Sequence, residues 1–151
     1  MPKRQLGEDL NYVDYQECDY AVRVVRALAD GRRMSVGEIC EKEFITAPFA
    51  YKILKKLQKA GIVKGFRGVH GGYSLNRVAK ELTLYDVYTA IDPEFFIIDC
   101  LEPGYQCTCD GSGNQACTVH GELHRIQKEL CRMLQEKSLE ELFYLKNRNR
   151  L

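Results

Sequence analysis

Residues 46–75, TAPFAYKILKKLQKAGIVKGFRGVHGGYSL, carry a helical pattern and a hairpin pattern back to back. Thr46 stands as an N-cap, Pro48 is tolerated in the first helical turn, and Gly61 is the stop. Phe49, Ile53, Leu54 and Leu57 recur at helical spacing and form the stripe expected to be buried. Lys52, Lys55, Lys56 and Lys59 line the opposite side. Beyond Gly61, the runs Ile62–Arg67 and Gly72–Leu75 are strand-like and flank the turn Gly68–Gly72. A basic hairpin directly after a basic helix reads as a wing. Its glycines let a narrow ribbon turn tightly and bring its backbone close to a phosphate or a groove floor.

Upstream, Ala21, Val24, Val25 and Leu28 give a first helix over about 17–29, stopped by Asp30-Gly31. Ser35 and Glu38 have the spacing of a capping box and open a short helix to about Lys42, with a turn at Glu43–Ile45. Two short helices joined by a tight turn, the second one basic, form a helix-turn-helix pattern. On that pattern alone a plain helical hairpin fits nearly as well, and the wing decides between them.

Downstream, Thr83 and Asp86 start a helix that ends before Pro93. Phe95–Ile98 is an apolar run suited to core packing or an interface. Thr118 opens a long helix to about Lys137, with Val119, Leu123, Ile126, Leu130 and Met133 as a coiled-coil-like seam. Ser138 and Glu141 cap a last short helix through Leu145. The expected fold is mostly α with a small β-hairpin, a winged helix-turn-helix plus a long C-terminal dimerisation helix. The expected units are a winged domain over 12–92, a cysteine-rich loop over 93–117, and the dimerisation helix over 118–146.

The formal net charge of +1 averages two opposed blocks. Residues 44–80 hold eight Lys and Arg and no acid; residues 81–124 hold eight acids and no Lys or Arg. A basic block on a compact element is the footprint of a polyanion, here double-stranded DNA, whereas an ordinary solvated face mixes signs. In this reading the lysines neutralise phosphates, and Thr46, Pro48, Phe49, Tyr51 and Lys52 lie where base edges of the major groove are read. Lys55 and Lys56 join the phosphate set, and Arg67, with Gly71 in the turn, is placed for the minor groove. No apolar run of about 18 residues and no signal peptide is seen, so a soluble, cytoplasmic protein without a membrane partner is expected. Paired carboxylates, a nucleophile triad and a phosphate loop are missing from the pattern, which argues against an enzyme.

Residues 100–120, CLEPGYQCTCDGSGNQACTVH, hold Cys100, Cys107, Cys109, Cys117 and His120 among glycine, proline and small polar residues. Such a loop buries too little apolar surface to order itself, and bound metal would compensate. In a reducing compartment, clustered cysteines signal metal or redox chemistry, and a total of seven fits poorly with a fully paired scaffold. Thiolates suit zinc or an iron–sulfur cluster. The tight knuckles of structural zinc are missing, and Cys107-Thr-Cys109 is easier to place across a multi-iron cluster, or with one cysteine left over. That spacing puts iron–sulfur ahead of zinc. Cys18, Cys40 and Cys131 read as small buried hydrophobes and His124 as helix surface.

With these parts in this order, the chain resembles the IscR/NsrR family (Rrf-two type) of winged-helix transcription regulators over roughly residues 12–145. The resemblance is carried by Asp19–Val22, by Ile62-Val63 followed by Phe66-Arg67-Gly68 and Gly71-Gly72-Tyr73, and by Cys117–His120. It implies a homodimer on a palindromic operator, read here as a repressor. It also implies a [2Fe–2S] or [4Fe–4S] cluster in each subunit that senses redox state, nitric oxide or iron–sulfur status. Four cysteines stand where the family loop usually has three, so either Cys107 or Cys109 is the middle ligand. His120, Asp19 or the extra cysteine is the fourth ligand. Tyr51 replaces a base-reading glutamate of a relative, so the operator sequence does not carry over. The alternatives kept open are a zinc-binding or cluster-free thiol-switch regulator and, of another class, an iron–sulfur carrier that does not bind DNA.

Overall fold

The computed structural model describes residues 15–106 and 117–144. They form α1 (Tyr15–Ala27), α2 (Val36–Glu43), α3 (Ala47–Lys59), β1 (Val63–Phe66), β2 (Gly72–Leu75), α4 (Leu84–Ile91), α5 (Thr118–Gln135) and α6 (Leu139–Tyr144). Short 3-10 turns lie at Ala79–Glu81 and Asp99–Leu101. This is the mostly helical, winged helix-turn-helix architecture expected from the sequence.

The helix starts follow local chemistry. In α2, Ser35 Oγ accepts from the Glu38 N–H at 3.2 Å, and Glu38 Oε2 accepts from the Ser35 N–H at 2.7 Å. Thr83 and Asp86 repeat that capping box in α4, and Ser138 and Glu141 make the same reciprocal bonds before α6. Thr46 has the extended backbone of an N-cap, but its side chain makes no capping bond. Pro48, near the helix start, removes one of the amides that would otherwise need a partner.

The inner stripe of α3 is Ala50, Ile53, Leu54 and Leu57, all fully buried. That is the i, i+3, i+4, i+7 pattern of one helix face, and it excludes Phe49. Phe49 sits at the edge, 37% exposed, with its ring edge-on to Tyr20 at 5.5 Å. The stripe packs against Ala21, Val24 and Val25 of α1 and Leu28 just beyond its end, and Val87 and Ile91 of α4 complete the same core.

β1 and β2 pair antiparallel, with Phe66 opposite Gly72 and Val63 opposite Leu75. Met34 adds a one-residue third strand: its N–H donates to Tyr73 O at 2.9 Å, and the Tyr73 N–H donates to Met34 O at 2.8 Å. The wing is thereby stitched to the segment before α2.

Residues 118–144 form two helices. After α5 the chain turns, Ser138 bridges Thr83, and the Leu139 N–H donates to Leu82 O at 2.7 Å. Leu139 is fully buried in the winged-domain core. α6 therefore belongs to that core and ties the far end of α5 back to it. Along α5, Leu123 and Leu130 are half-buried, while Val119, Ile126 and Met133, spaced by seven, are 64%, 41% and 58% exposed. No helix of the described residues is long and apolar enough to cross a membrane.

Gly72 is the joint of the wing. Its φ is +137°, and a Cβ there would lie 2.6 Å from Met34 O and 2.9 Å from Met34 C, both backbone atoms. Gly72→Ala is expected to cost roughly 2–4 kcal/mol in urea unfolding. Gly37→Ala, whose Cβ would meet only Ser35 Oγ at 3.9 Å, is expected to stabilise by about 0.5–1 kcal/mol. Equal behaviour of the two variants would show that the Met34 stitch does not hold the wing.

Candidate nucleic-acid interface and cysteine loop

The buried stripe of α3 fixes what the helix shows outside. Thr46, Pro48, Tyr51, Lys52 and Lys55 are exposed, and 48, 51, 52 and 55 share one helical face. Lys59 is exposed one turn beyond Lys55.

Two of these lysines are tied inward. Glu17 on α1 has a side chain only 4% exposed, and its two carboxylate oxygens are taken by Lys52 Nζ and by Lys56 Nζ, the latter at 2.5 Å. Burial pushes the Glu17 carboxyl up, but the hydrogen bonds and charge of the two ammonium groups outweigh it and hold the group below its usual range. Glu17 is therefore ionised at neutral pH. A second buried acid, Glu43 at the end of α2, is held by the Arg26 guanidinium through both oxygens. The Arg23 guanidinium also donates to the Glu43 carbonyl at 3.3 Å. These pairs set α1 against the helix-turn-helix. The turn itself is Phe44, left-handed at φ 56° and 88% exposed.

On the wing, Arg67 is exposed immediately after β1, and Val69 forms the bare tip at 99% exposure. The Gly71 N–H donates to Gly68 O at 2.9 Å. A Cβ on Gly71 would lie 2.9 Å from both Gly68 O and Phe66 O, so the hairpin's own backbone demands glycine there. Arg33 braces the ribbon from outside. Its guanidinium lies 3.5 Å from the Phe66 ring centroid, and its Nη1 donates to His70 O at 2.9 Å.

The cysteine loop is described only at its two roots; Cys107 and Cys109 lie outside the described residues. Cys100 stands in the 3-10 turn Asp99–Leu101, which packs against α5. Cys117 is the N-cap of α5, its Sγ accepting from the His120 N–H at 3.4 Å. The sulfur thus sits at the positive end of the helix dipole. His120 Nδ1 is buried and, among the described residues, has no hydrogen-bond partner. No group of three or more His, Cys, Asp or Glu able to hold a metal ion forms among the described residues. Asp19 lies exposed on α1, 2.9 Å from Arg23. His124 is exposed, one turn after His120, as expected for helix surface. Gln127 anchors the approach to the loop: its Oε1 accepts from the Ile97 N–H at 2.8 Å, and its Nε2 donates to Phe95 O at 2.9 Å.

A family model described as "Rrf2: Iron-dependent Transcriptional regulator" matches residues 15–144. The chain belongs to the Rrf2 family of transcriptional regulators. Protein aau3 of Rhizobium meliloti (strain 1021) is 30% identical over 129 residues, which are 84% of this chain and 82% of that protein. The crystal structure of Staphylococcus aureus CymR superposes with a TM-score of 0.63 at 19% identity, covering 87% of this chain and 98% of that one. T. potens IscR gives 0.59 at 18% identity, covering 90% and 86%. At those identities the two structures speak for the fold, a winged helix-turn-helix. As a member of that family, this Rrf2 chain is a DNA-binding transcription regulator and not an enzyme.

Three residues of the Rrf2 chain escaped the sequence reading: Glu17, Arg33 and Gln127. Glu17 carried a visible signal, because it stands four residues before Ala21 on the apolar stripe of α1, where an acid must be paired. Gln127 acts through a backbone carbonyl and amide, and Arg33 through a backbone carbonyl and the Phe66 ring, contacts that leave no mark on side-chain periodicity.

Proposed function

We propose that this Rrf2 regulator binds a palindromic double-stranded operator as a homodimer, in the cytoplasm, as a repressor. Its signal is redox state, nitric oxide or iron–sulfur status, read through an iron–sulfur cluster, [2Fe–2S] or [4Fe–4S], held by the cysteine loop. The winged unit 12–92 carries the DNA face, 93–117 the ligand loop, and 118–146 the dimer helix together with its anchor α6. The observation that carries the sensor reading is the buried Nδ1 of His120, three residues past Cys117 at the end of the loop, which has no hydrogen-bond partner among the described residues. A buried ring nitrogen without a partner is costly, and a metal bond would satisfy it. Cys100, Cys117 and either Cys107 or Cys109 would supply thiolates, with His120 as the fourth, non-thiolate ligand. Bound there, such a group supplies electron-transfer and nitric oxide chemistry that side chains lack.

On the DNA face, Thr46, Pro48, Phe49, Tyr51 and Lys52 lie at the start of α3 for base edges, and Lys55 for phosphate. Lys56 also belongs to the basic face, and Arg67 and Gly71 belong to the wing. The dimer reading is supported by the exposed row Val119, Ile126 and Met133, an apolar seam that the chain's own core leaves bare.

Protein purified without oxygen is expected to carry iron and acid-labile sulfide with visible absorbance, and Cys117→Ser to lose them while the helical circular dichroism persists. Stoichiometric zinc without sulfide overturns the cluster. Leu123→Glu combined with Ile126→Glu is expected to halve the mass in analytical ultracentrifugation; an unchanged mass makes the seam internal packing. For DNA, Arg67→Ala is expected to cost roughly 1–3 kcal/mol on the operator and to relax preference at flanking A·T pairs. Lys55→Ala is expected to weaken operator and scrambled duplex alike. An Arg67→Ala protein that binds both DNAs like the parent removes the wing from the reading.

A further inference from the structure

Lys52 and Lys56 stand one turn apart on α3, and both ammonium groups close on one carboxylate across the α1–α3 interface. We propose that Glu17 is a positioning residue that competes with DNA phosphate for these two lysines, and so limits how much general, sequence-independent affinity α3 can supply. The inference rests on the reading of α3 as the DNA face.

The contrast within α3 motivates it. Lys55 and Lys59 are exposed and, among the described residues, have no carboxylate partner, whereas Lys52 and Lys56 share a carboxylate that is itself almost wholly buried. A buried carboxylate stripped of its counter-charges is strongly disfavoured, so the lysines cannot leave it at the small cost of breaking a surface pair. A phosphate on the duplex offers the same chemistry as Glu17, an anionic oxygen pair accepting from an ammonium. Each lysine engaged with Glu17 is one fewer available to neutralise phosphate and release a counterion.

Docking of α3 does not require the clamp. Ala50, Ile53, Leu54 and Leu57 are already fully buried against Ala21, Val24, Val25 and Leu28. Replacing buried ion pairs by neutral packing is often harmless. The clamp's distinctive consequence is electrostatic: it places two charges on the DNA side of the molecule under internal restraint. Because phosphate contacts carry no sequence information, the restraint lowers affinity for operator and non-operator DNA together.

The test is fluorescence anisotropy of the full chain on an operator selected from a random pool and on a scrambled duplex, across a salt series. Glu17→Gln is expected to bind the scrambled duplex more tightly and to steepen the slope of log K against log salt by about one to two units. Lys52→Gln in the parent is expected to lower the slope by well under one unit, because Glu17 already holds that charge. The same substitution in the Glu17→Gln background should lower it by about one unit, a coupling that a simple loss of charge does not produce. A Glu17→Gln protein with the parent slope, or a Lys52→Gln parent that already loses a full unit, overturns the proposal. The second outcome reads out even if Glu17→Gln does not fold. Lys55→Gln is the control for the underlying reading: if it leaves the slope unchanged, α3 is not the DNA face.

Discussion

The inner face of α3 is the constraint on which the rest of the molecule depends. Four of its side chains are removed from water against α1 and α4, and two of the contact positions, Ala21 and Ala50, are small enough to let the helix backbones approach closely. Burying that stripe is worth several kcal/mol, and rotating the helix by one residue would expose it. The outward set Pro48, Tyr51, Lys52 and Lys55 is thus fixed by what faces inward. The wing inherits the same orientation, since β1 starts only a few residues after α3 ends and Ile62 and Val63 are buried in the same core.

Features that depend on a few neighbouring residues were legible in the sequence. The capping boxes at Ser35, Thr83 and Ser138 and the hairpin from Val63 to Leu75 lie where those residues place them. Partnerships between distant segments were hidden. The Met34–Tyr73 bridge is made by a single residue and leaves no alternation to detect. α6 reads as an isolated amphipathic turn until Leu139 is seen in the core. Bulk and hydrophobicity favour Phe49 over a small residue for the buried stripe; the helix instead buries Ala50.

The candidate site was legible in its residue types more than in its electrostatics. Sequence placed four lysines on the outer side of α3 as if they were equivalent. The structure divides them, because the partner of Lys52 and Lys56 lies on a helix some 35–39 positions away and no local pattern links the two. At the cysteine loop the ligand types are evident from composition, while Gln127, which holds Phe95 and Ile97 against α5, looks like an ordinary polar residue on a helix.

That last contact bears on how a change at the loop could reach the outer face of α3. Gln127 ties the entry of the loop to α5, and Cys117 ties its exit to the first turn of the same helix. α5 packs on α4, and α4 in turn packs on both α1 and α3. α4 is therefore the element that both ends of the molecule share. Close-packed interiors transmit displacement in preference to absorbing it, so α4 offers a packed route from α5 to the α1–α3 interface. Glu17 lies at that interface, holding two charges of α3 across it. A sub-ångström change in how α1 meets α3 alters an ion pair between buried oxygen and partly exposed nitrogen far more steeply than it alters apolar contact, because charge is sensitive to solvent entry. On the proposed DNA face of α3, the Glu17–Lys52–Lys56 cluster is thus the contact most sensitive to such a change.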